Sequence, residues 1–163
     1  MDKKAFLLHG WDICYDKEDW YPPLAEALKG VTAEQANWKP EGASINTIWE
    51  NVQHLMFYKE RFLKRLTGEE KEFPQGITND DTFAAASADP SAWEETVRKM
   101  DEIHKSIRGI IVGYGDDDLE REIPKRPVGT SLFSLILHDA YHTGQIIQIR
   151  KLQGSWPSNR SYE

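Results

Sequence analysis

Cysteine and long apolar runs are scarce in this chain of 163 residues. The one cysteine, Cys14, excludes an internal disulfide and is typical of proteins from a reducing compartment. The longest apolar runs, such as residues 5–8, are too short to cross a bilayer, and no secretory signal follows the N-terminus. We therefore expect a cytoplasmic protein without a membrane partner.

Basic residues and nucleotide-binding motifs are also under-represented. The chain has 20 Lys and Arg against 27 Asp and Glu, which gives a formal charge of −7. Nucleic-acid binding needs a basic face, so we expect no nucleic-acid partner. The chain lacks the glycine-rich loops that cradle nucleotide phosphates, and it lacks the Glu-x-x-His pairs of carboxylate-bridged di-iron bundles.

Apolar residues recur at a spacing near 3.6, which indicates helices, and the alternation typical of strands is almost absent. Hydrophobic residues make up 39% and charged residues 29%, so residues 1–163 are expected to form one globular domain. The predicted fold is all-α, a four-helix bundle whose first helix is composite. The predicted helices cover residues 3–16 with a second piece at 20–29, a short turn after Thr32, and residues 45–66, 90–112 and 130–152. Ser44 or Asn46 is the expected cap of the second long helix, and Thr130 that of the last.

Two of the five histidines form the most informative pair. His138 and His142 stand four residues apart, which places their Cβ atoms about 6 Å apart on one helix face, a spacing that suits joint ligation of one ion. They share that face with apolar residues, so both rings face the core and need a hydrogen bond or a metal. Two packed, hydrogen-bonded core histidines are the alternative interpretation.

The spacing of the residues leaves a third ligand open. His104 shares the apolar stripe of its helix with Met100, which favours it. His54 lies more than about 100° from the stripe of its own helix, and the helical wheel therefore predicts a solvent-side or interface position for it. His54 and His104 both remain candidates on spacing alone.

Two segments resemble motifs of the DinB/YfiT-like superfamily. HDAYHTGQI, residues 138–146, resembles the last-helix motif of that family, and IWENVQHL, residues 48–55, resembles its second-helix motif. The order of elements is similar over about residues 3–153. The resemblance implies an up-down-down-up bundle that holds a divalent metal through His54, His138 and His142. It thereby selects His54 over His104.

The resemblance also implies a function. Characterised members include thiol-dependent transferases and isomerases that use low-molecular-weight thiols such as bacillithiol or mycothiol, and members are often homodimers. The expected protein is a metal-dependent enzyme of the thiol-transferase or hydrolase type that acts on a small-molecule substrate, such as a low-molecular-weight thiol. A non-catalytic bundle that binds a metal or small molecule is the alternative, and a structural protein without metal is a third.

Three imidazoles leave a divalent ion with at least one position for water or substrate, as in catalytic zinc sites. Zinc is expected first, with nickel, iron or manganese as alternatives. Gln145, Asn51, Tyr58 and Asp139 are candidates for lining the pocket or supporting the ligands. Helix packing for Tyr58, an exposed position for Gln145 and a surface ion pair for Asp139 are the competing interpretations.

Overall fold

The computed structural model describes residues 2–42, 44–70, 74–84 and 87–158. Seven α-helices lie within these ranges, and four of them are long. A short 3₁₀ turn, Asp80–Thr82, lies in the connection between the second and third long helices. The seven helices are α1 (Lys3–Tyr15), α2 (Leu24–Leu28), α3 (Ala33–Asn37), α4 (Ile48–Thr67), α5 (Pro90–Val112), α6 (Asp116–Glu120) and α7 (Val128–Leu152).

The four long helices form an up-down-down-up bundle. Helix α7 packs on α1 and α4, and α5 packs on the other sides of the same two helices. Contacts between them show that α1 and α7 run in the same direction, that α5 runs against α1, and that α4 runs with α5. Between α1 and α7, Gly10 contacts Ile136 and Cys14 contacts Asp139. Between α1 and α5, Lys4 contacts Val112 and Trp11 contacts His104. Between α4 and α5, Trp49 contacts Trp93 and Lys59 contacts His104. The predicted fold class is confirmed.

The helix starts show how the sequence defines these elements. The Asp89 side chain caps α5, with Pro90 at the first helical position, and Thr32 and Gln35 form a capping box at the start of α3, the short turn predicted after Thr32. The predicted cap of α4 is wrong, because Thr47 and Glu50 form a capping box and α4 begins only at Ile48.

Two other boundaries also differ from the prediction. Helix α7 begins at Val128, so Thr130 lies inside it. The segment that precedes it, for which no helix is predicted, contains the short helix α6. The composite first helix is interrupted by Pro22 and Pro23, and its second piece, α2, begins after them.

The core lies between the long helices and consists mainly of aliphatic and aromatic side chains. All four contribute fully or nearly fully buried residues, for example Trp11, Trp49, Ile107 and Ile146. No helix of the described residues combines the length and apolarity that a membrane crossing requires. The bundle brings the middle of α7 against the first half of α4, and the histidines lie there.

Candidate metal centre

Three histidines from two helices meet where α4 and α7 face each other. His54 lies on α4, and His138 and His142 lie one turn apart on α7. One ring nitrogen from each of the three lies within 4.8 Å of the others. The Nε2 atoms of His54 and His138 are 2.9 Å apart, and the ring of His142 is centred 4.7 Å from each of the other two rings. The structure thus brings together the three histidines that the resemblance selects.

The position of His54 contradicts the prediction from the helical wheel. Its side chain is buried, with only 3% of the residue exposed. The connection that follows α4 folds back over this side of the helix, and Phe83 stacks on the imidazole with ring centroids 4.0 Å apart. The wheel assumes one buried face, whereas α4 packs on α5 through its apolar stripe and is covered again around His54.

A hydrogen bond from the connection sets the protonation of His54. Its Nδ1 lies 2.6 Å from the Thr82 hydroxyl oxygen. That hydroxyl donates its own hydrogen to the carbonyl oxygen of Asn79, at 2.5 Å, so it accepts from the ring. The proton therefore sits on Nδ1, and the Nε2 lone pair of His54 points toward the other two histidines.

His142 is held by two amide side chains. Its Nδ1 lies 2.7 Å from Asn51 Oδ1 and 2.9 Å from Gln145 Oε1. The Asn51 amide nitrogen donates to the carbonyl oxygen of Thr47 at 2.8 Å, and this contact fixes which end of the Asn51 amide faces the ring. Both oxygens accept from an Nδ1–H, which leaves Nε2 of His142 unprotonated. Asn51 and Gln145, two of the candidate supporting residues, thus both contact the His142 ring.

Burial keeps the three rings neutral. It lowers the pKa of His54 to about 3, helped by the nearby His138 and His142 rings. Burial also lowers the pKa of His138 to about 4, with the His142 ring as the next cause, and it lowers the pKa of His142. A neutral imidazole is the form that donates a lone pair to a metal, so the rings are ready to ligate at neutral pH.

The donor set fits a divalent ion. Nitrogen ligands about 2.0–2.1 Å from a tetrahedral ion lie roughly 3.3–3.4 Å apart, so His54 and His138 need to separate by only about 0.4 Å. Among the described residues, the cluster holds no carboxylate or cysteine beside the three rings. Three imidazoles without a fourth side chain correspond to the open coordination of catalytic zinc sites.

His138 connects the cluster to solvent. It is half-buried and lies in the wall of a pocket of about 370 Å³ between α4 and α7. Tyr58 lines the same pocket, packs edge-on against His138 and donates its hydroxyl to Asn79 Oδ1 at 3.0 Å. Tyr58 therefore both packs and lines the pocket.

The sequence pattern of the DinB superfamily matches residues 22–146, which include α4 and the three histidines. The chain belongs to the DinB superfamily. No curated protein and no solved structure gives a significant match. Family membership and the close histidine triad are together compatible with a metal-binding protein.

In this DinB-superfamily chain, Asp139 has neither of the two roles that its position predicts, support of a ligand or a surface ion pair. It neither orients a ligand nor pairs at the surface, because it is fully buried and its Oδ2 lies 2.5 Å from the Lys59 ammonium, which is also fully buried. Burial raises the pKa of Asp139 and opposes the effect of Lys59. The buried Cys14 thiol contacts the same oxygen at 3.6 Å, so this cysteine packs in the core.

His104, the alternative third ligand, lies outside the triad. Its ring stacks between Trp11 and Tyr15, with centroids 4.3 and 4.0 Å away. The Lys59 ammonium donates to its Nδ1 at 3.1 Å, and burial together with this neighbouring charge holds the pKa of His104 well below its usual range. His104 is therefore a core histidine, as its place in the apolar stripe allowed.

Several residues of the centre were not identified from the sequence. Thr82 and Phe83 lie in a connection without periodicity, and no sequence signal pointed to them. Lys59 did carry a signal, because it stands three residues after Met56 and four before Leu63 in the apolar stripe of α4. A lysine at a core position needs a buried partner, and that partner is Asp139.

Proposed function

We propose that the protein binds one divalent metal ion through His54, His138 and His142 and acts with it as an enzyme on a small-molecule substrate. The reaction is of the thiol-transferase or hydrolase type, with a low-molecular-weight thiol as the candidate cosubstrate. The observation that carries the proposal is the convergence of three neutral imidazoles beside a pocket open to solvent. Zinc is the first candidate, and nickel, iron and manganese also accept such ligands.

The chain's own residues orient the ligands and shield the centre. When bound, a divalent ion of this kind lowers the pKa of water or of a thiol, which makes either a nucleophile near neutral pH. Thr82 and the amides of Asn51 and Gln145 hold the Nδ1 protons, so the Nε2 atoms of His54 and His142 are aimed at one point. Phe83 covers His54, and substrate therefore approaches past His138.

The metal content of histidine variants tests the ligand set. We expect about one equivalent of metal per chain in the wild type and in His9→Ala, whose side chain is 57% exposed on α1. His54→Ala and His138→Ala lose it, whereas the core variant His104→Gln retains it. Elemental analysis after purification without chelator measures the content, and circular dichroism confirms folding. Loss of metal in His104→Gln together with retention in His54→Ala would overturn the assignment.

Thiol consumption separates an enzyme from a binding protein. The metal-loaded protein is incubated with an alkyl halide electrophile and cysteine, glutathione or bacillithiol, and the loss of free thiol is followed. A transferase consumes thiol faster than the His54→Ala variant, and chelation of the metal removes the difference. For the hydrolase form, ester and amide substrates replace the thiol and electrophile. Metal binding without turnover in either series would favour the non-catalytic alternative.

The proposal includes a homodimer, which family resemblance implies. Phe133, Leu137 and Tyr141 are exposed at four-residue intervals on α7 and form one apolar face of that helix. Light scattering of the wild type should give twice the chain mass, and Leu137→Glu should shift it toward the monomer. A wild type that remains monomeric at high concentration would contradict this part of the proposal.

A further inference from the structure

The described residues that line the pocket beside His138 are together positively charged, against the balance of the whole chain. We call this pocket the His138 pocket; Arg61, Arg65, Arg126, Ser131, Ser134 and His138 are among its lining residues. No Asp or Glu occurs among the described residues that line it. Three guanidinium groups thus line a pocket of about 370 Å³ in a protein whose formal charge is −7.

The helices explain why the arginines adjoin the triad. His54, Tyr58, Arg61 and Arg65 follow one another at intervals of four, three and four residues, which places them along one face of α4. Helix α7 runs antiparallel to α4, so the face that carries His138 continues through Ser134 along the same groove. With a rise of about 1.5 Å per residue, Arg61 lies about 10 Å along the helix axis from His54.

Arg126 approaches from the other wall. It lies just before α7 in a tight turn, where the backbone N–H of Ile123 donates to the Arg126 carbonyl oxygen at 2.9 Å. The Arg126 guanidinium donates to the Ser134 hydroxyl at 2.9 Å, and that hydroxyl donates to the Thr130 carbonyl oxygen. The neutral Ser134 hydroxyl thus orients the Arg126 guanidinium without cancelling the guanidinium's positive charge.

The other two arginines differ in their surroundings. The Nε of Arg65 pairs with Glu70 at 2.7 Å, but a guanidinium has five N–H donors and one such contact engages only part of them. Arg61 is half-buried and lies one helical turn closer to Tyr58 than Arg65 does. Planar guanidiniums with hydroxyl and amide donors beside them match the geometry of carboxylate and phosphate oxygens.

The geometry points to an anion-binding subsite: the His138 pocket binds a carboxylate or phosphate group of the substrate through Arg61 and Arg126, while the reactive end of the same molecule reaches the histidine triad. This assignment rests on the proposed function for the identity of the reactive end. It narrows the substrate to an anionic small molecule long enough to extend from these arginines to the histidine triad. The pocket volume is in the range of small-molecule sites.

Two matched pairs of thiols test the assignment. Phosphopantetheine and pantetheine differ by one phosphate, and glutathione and its diethyl ester differ by two carboxylates. Calorimetric titration uses the metal-free protein at low salt, so that the result does not depend on metal. We expect the anionic member of at least one pair to bind about tenfold more tightly or better, and the pair that shows it identifies the anion.

Arginine variants locate the effect. Arg61→Gln and Arg126→Gln should each weaken binding of the anionic thiol by about tenfold, with the neutral member unchanged. Lys125→Gln removes an exposed charge next to Arg126 that does not line the pocket, and it should bind like the wild type. Equal binding of both members of both pairs, or a preference that survives in the double variant Arg61→Gln/Arg126→Gln, would overturn the assignment.

The experiments distinguish failure of the proposed metal-dependent enzyme from failure of the proposed anion-binding subsite. If the histidine variants show that no metal is bound while the anion preference persists, the proposed enzyme is wrong and the anion subsite stands. If metal is bound but no anion preference appears, the subsite is wrong and the metal centre stands.

Discussion

Replacing Lys59 by methionine removes one charge from the most deeply buried ion pair of the protein's described residues. Methionine has nearly the length of lysine, so packing is conserved, and the variant loses the charge together with the hydrogen bond that the ammonium donates to His104 Nδ1. The Lys59 ammonium lies 2.5 Å from Asp139 Oδ2, and both side chains have no solvent exposure. The variant leaves the carboxyl group without its partner in a core from which water is excluded.

The loss of stability expected for this variant follows from the complete burial of the pair. Breaking a fully buried pair by removing one partner costs about 3–5 kcal/mol of unfolding free energy, because an uncompensated charge stays in the interior or takes up a proton. Asp139 Oδ1 has no hydrogen-bond partner among the described residues, so no other donor compensates there. For a domain of this size, 1 kcal/mol shifts the melting temperature by roughly 2–4 °C, so we expect a decrease of about 6–20 °C.

Thermal and urea denaturation of the metal-free protein, followed by circular dichroism, measures this effect. Lys105→Met is the matched control: it breaks an exposed pair with Asp101, and it should cost about 1 kcal/mol or less. The double variant Lys59→Met/Asp139→Asn should lose less unfolding free energy than the sum of the losses in the two single variants, because it contains neither charge and so leaves no charge unpaired. A Lys59→Met variant within 1 kcal/mol of the wild type would refute the reasoning.

Three other predictions concern the histidine centre. Because burial lowers the pKa of His54 to about 3 and of His138 to about 4, the unfolded chain takes up protons below about pH 6.5 that the folded chain excludes. The melting temperature of metal-free protein should therefore fall from pH 7 to pH 5, less steeply in His54→Gln, and a flat profile would contradict this. Asn51→Leu removes one of the two acceptors at His142 and should weaken metal binding about tenfold or more in a competition titration with a chelator. Thr82→Val removes the acceptor of the His54 Nδ1 proton and should weaken metal binding similarly; unchanged affinity would show that the connection does not orient the ring.

Much of the fold could be predicted from local sequence signals. Asp89 followed by Pro90 predicts the start of α5, and the Thr32 capping box predicts α3, because caps act through residues three or four positions apart. Thr47 and Glu50 form the same kind of box, so the true start of α4 was also present in the sequence.

The centre was only partly predictable. The four-residue spacing of His138 and His142 is a local property of one helix and predicts that they lie together. The burial of His54 depends on a connection that folds back across α4, and the helical wheel contains no information about it. The partner of Lys59 depends on the register between α4 and α7, which no single-helix pattern fixes. Resemblance to a family supplied the choice of His54, where periodicity favoured His104.

The connection between α4 and α5 contributes to the histidine centre from outside the bundle of long helices. It supplies Thr82, Phe83 and Asn79 to the surroundings of His54, yet it lies outside the four long helices. Exchanging this segment in a related chain would alter the wall that a ligand meets and leave the bundle and its paired histidines in place. The surroundings of His54 can therefore change through a segment outside the four long helices, without repacking of the interior.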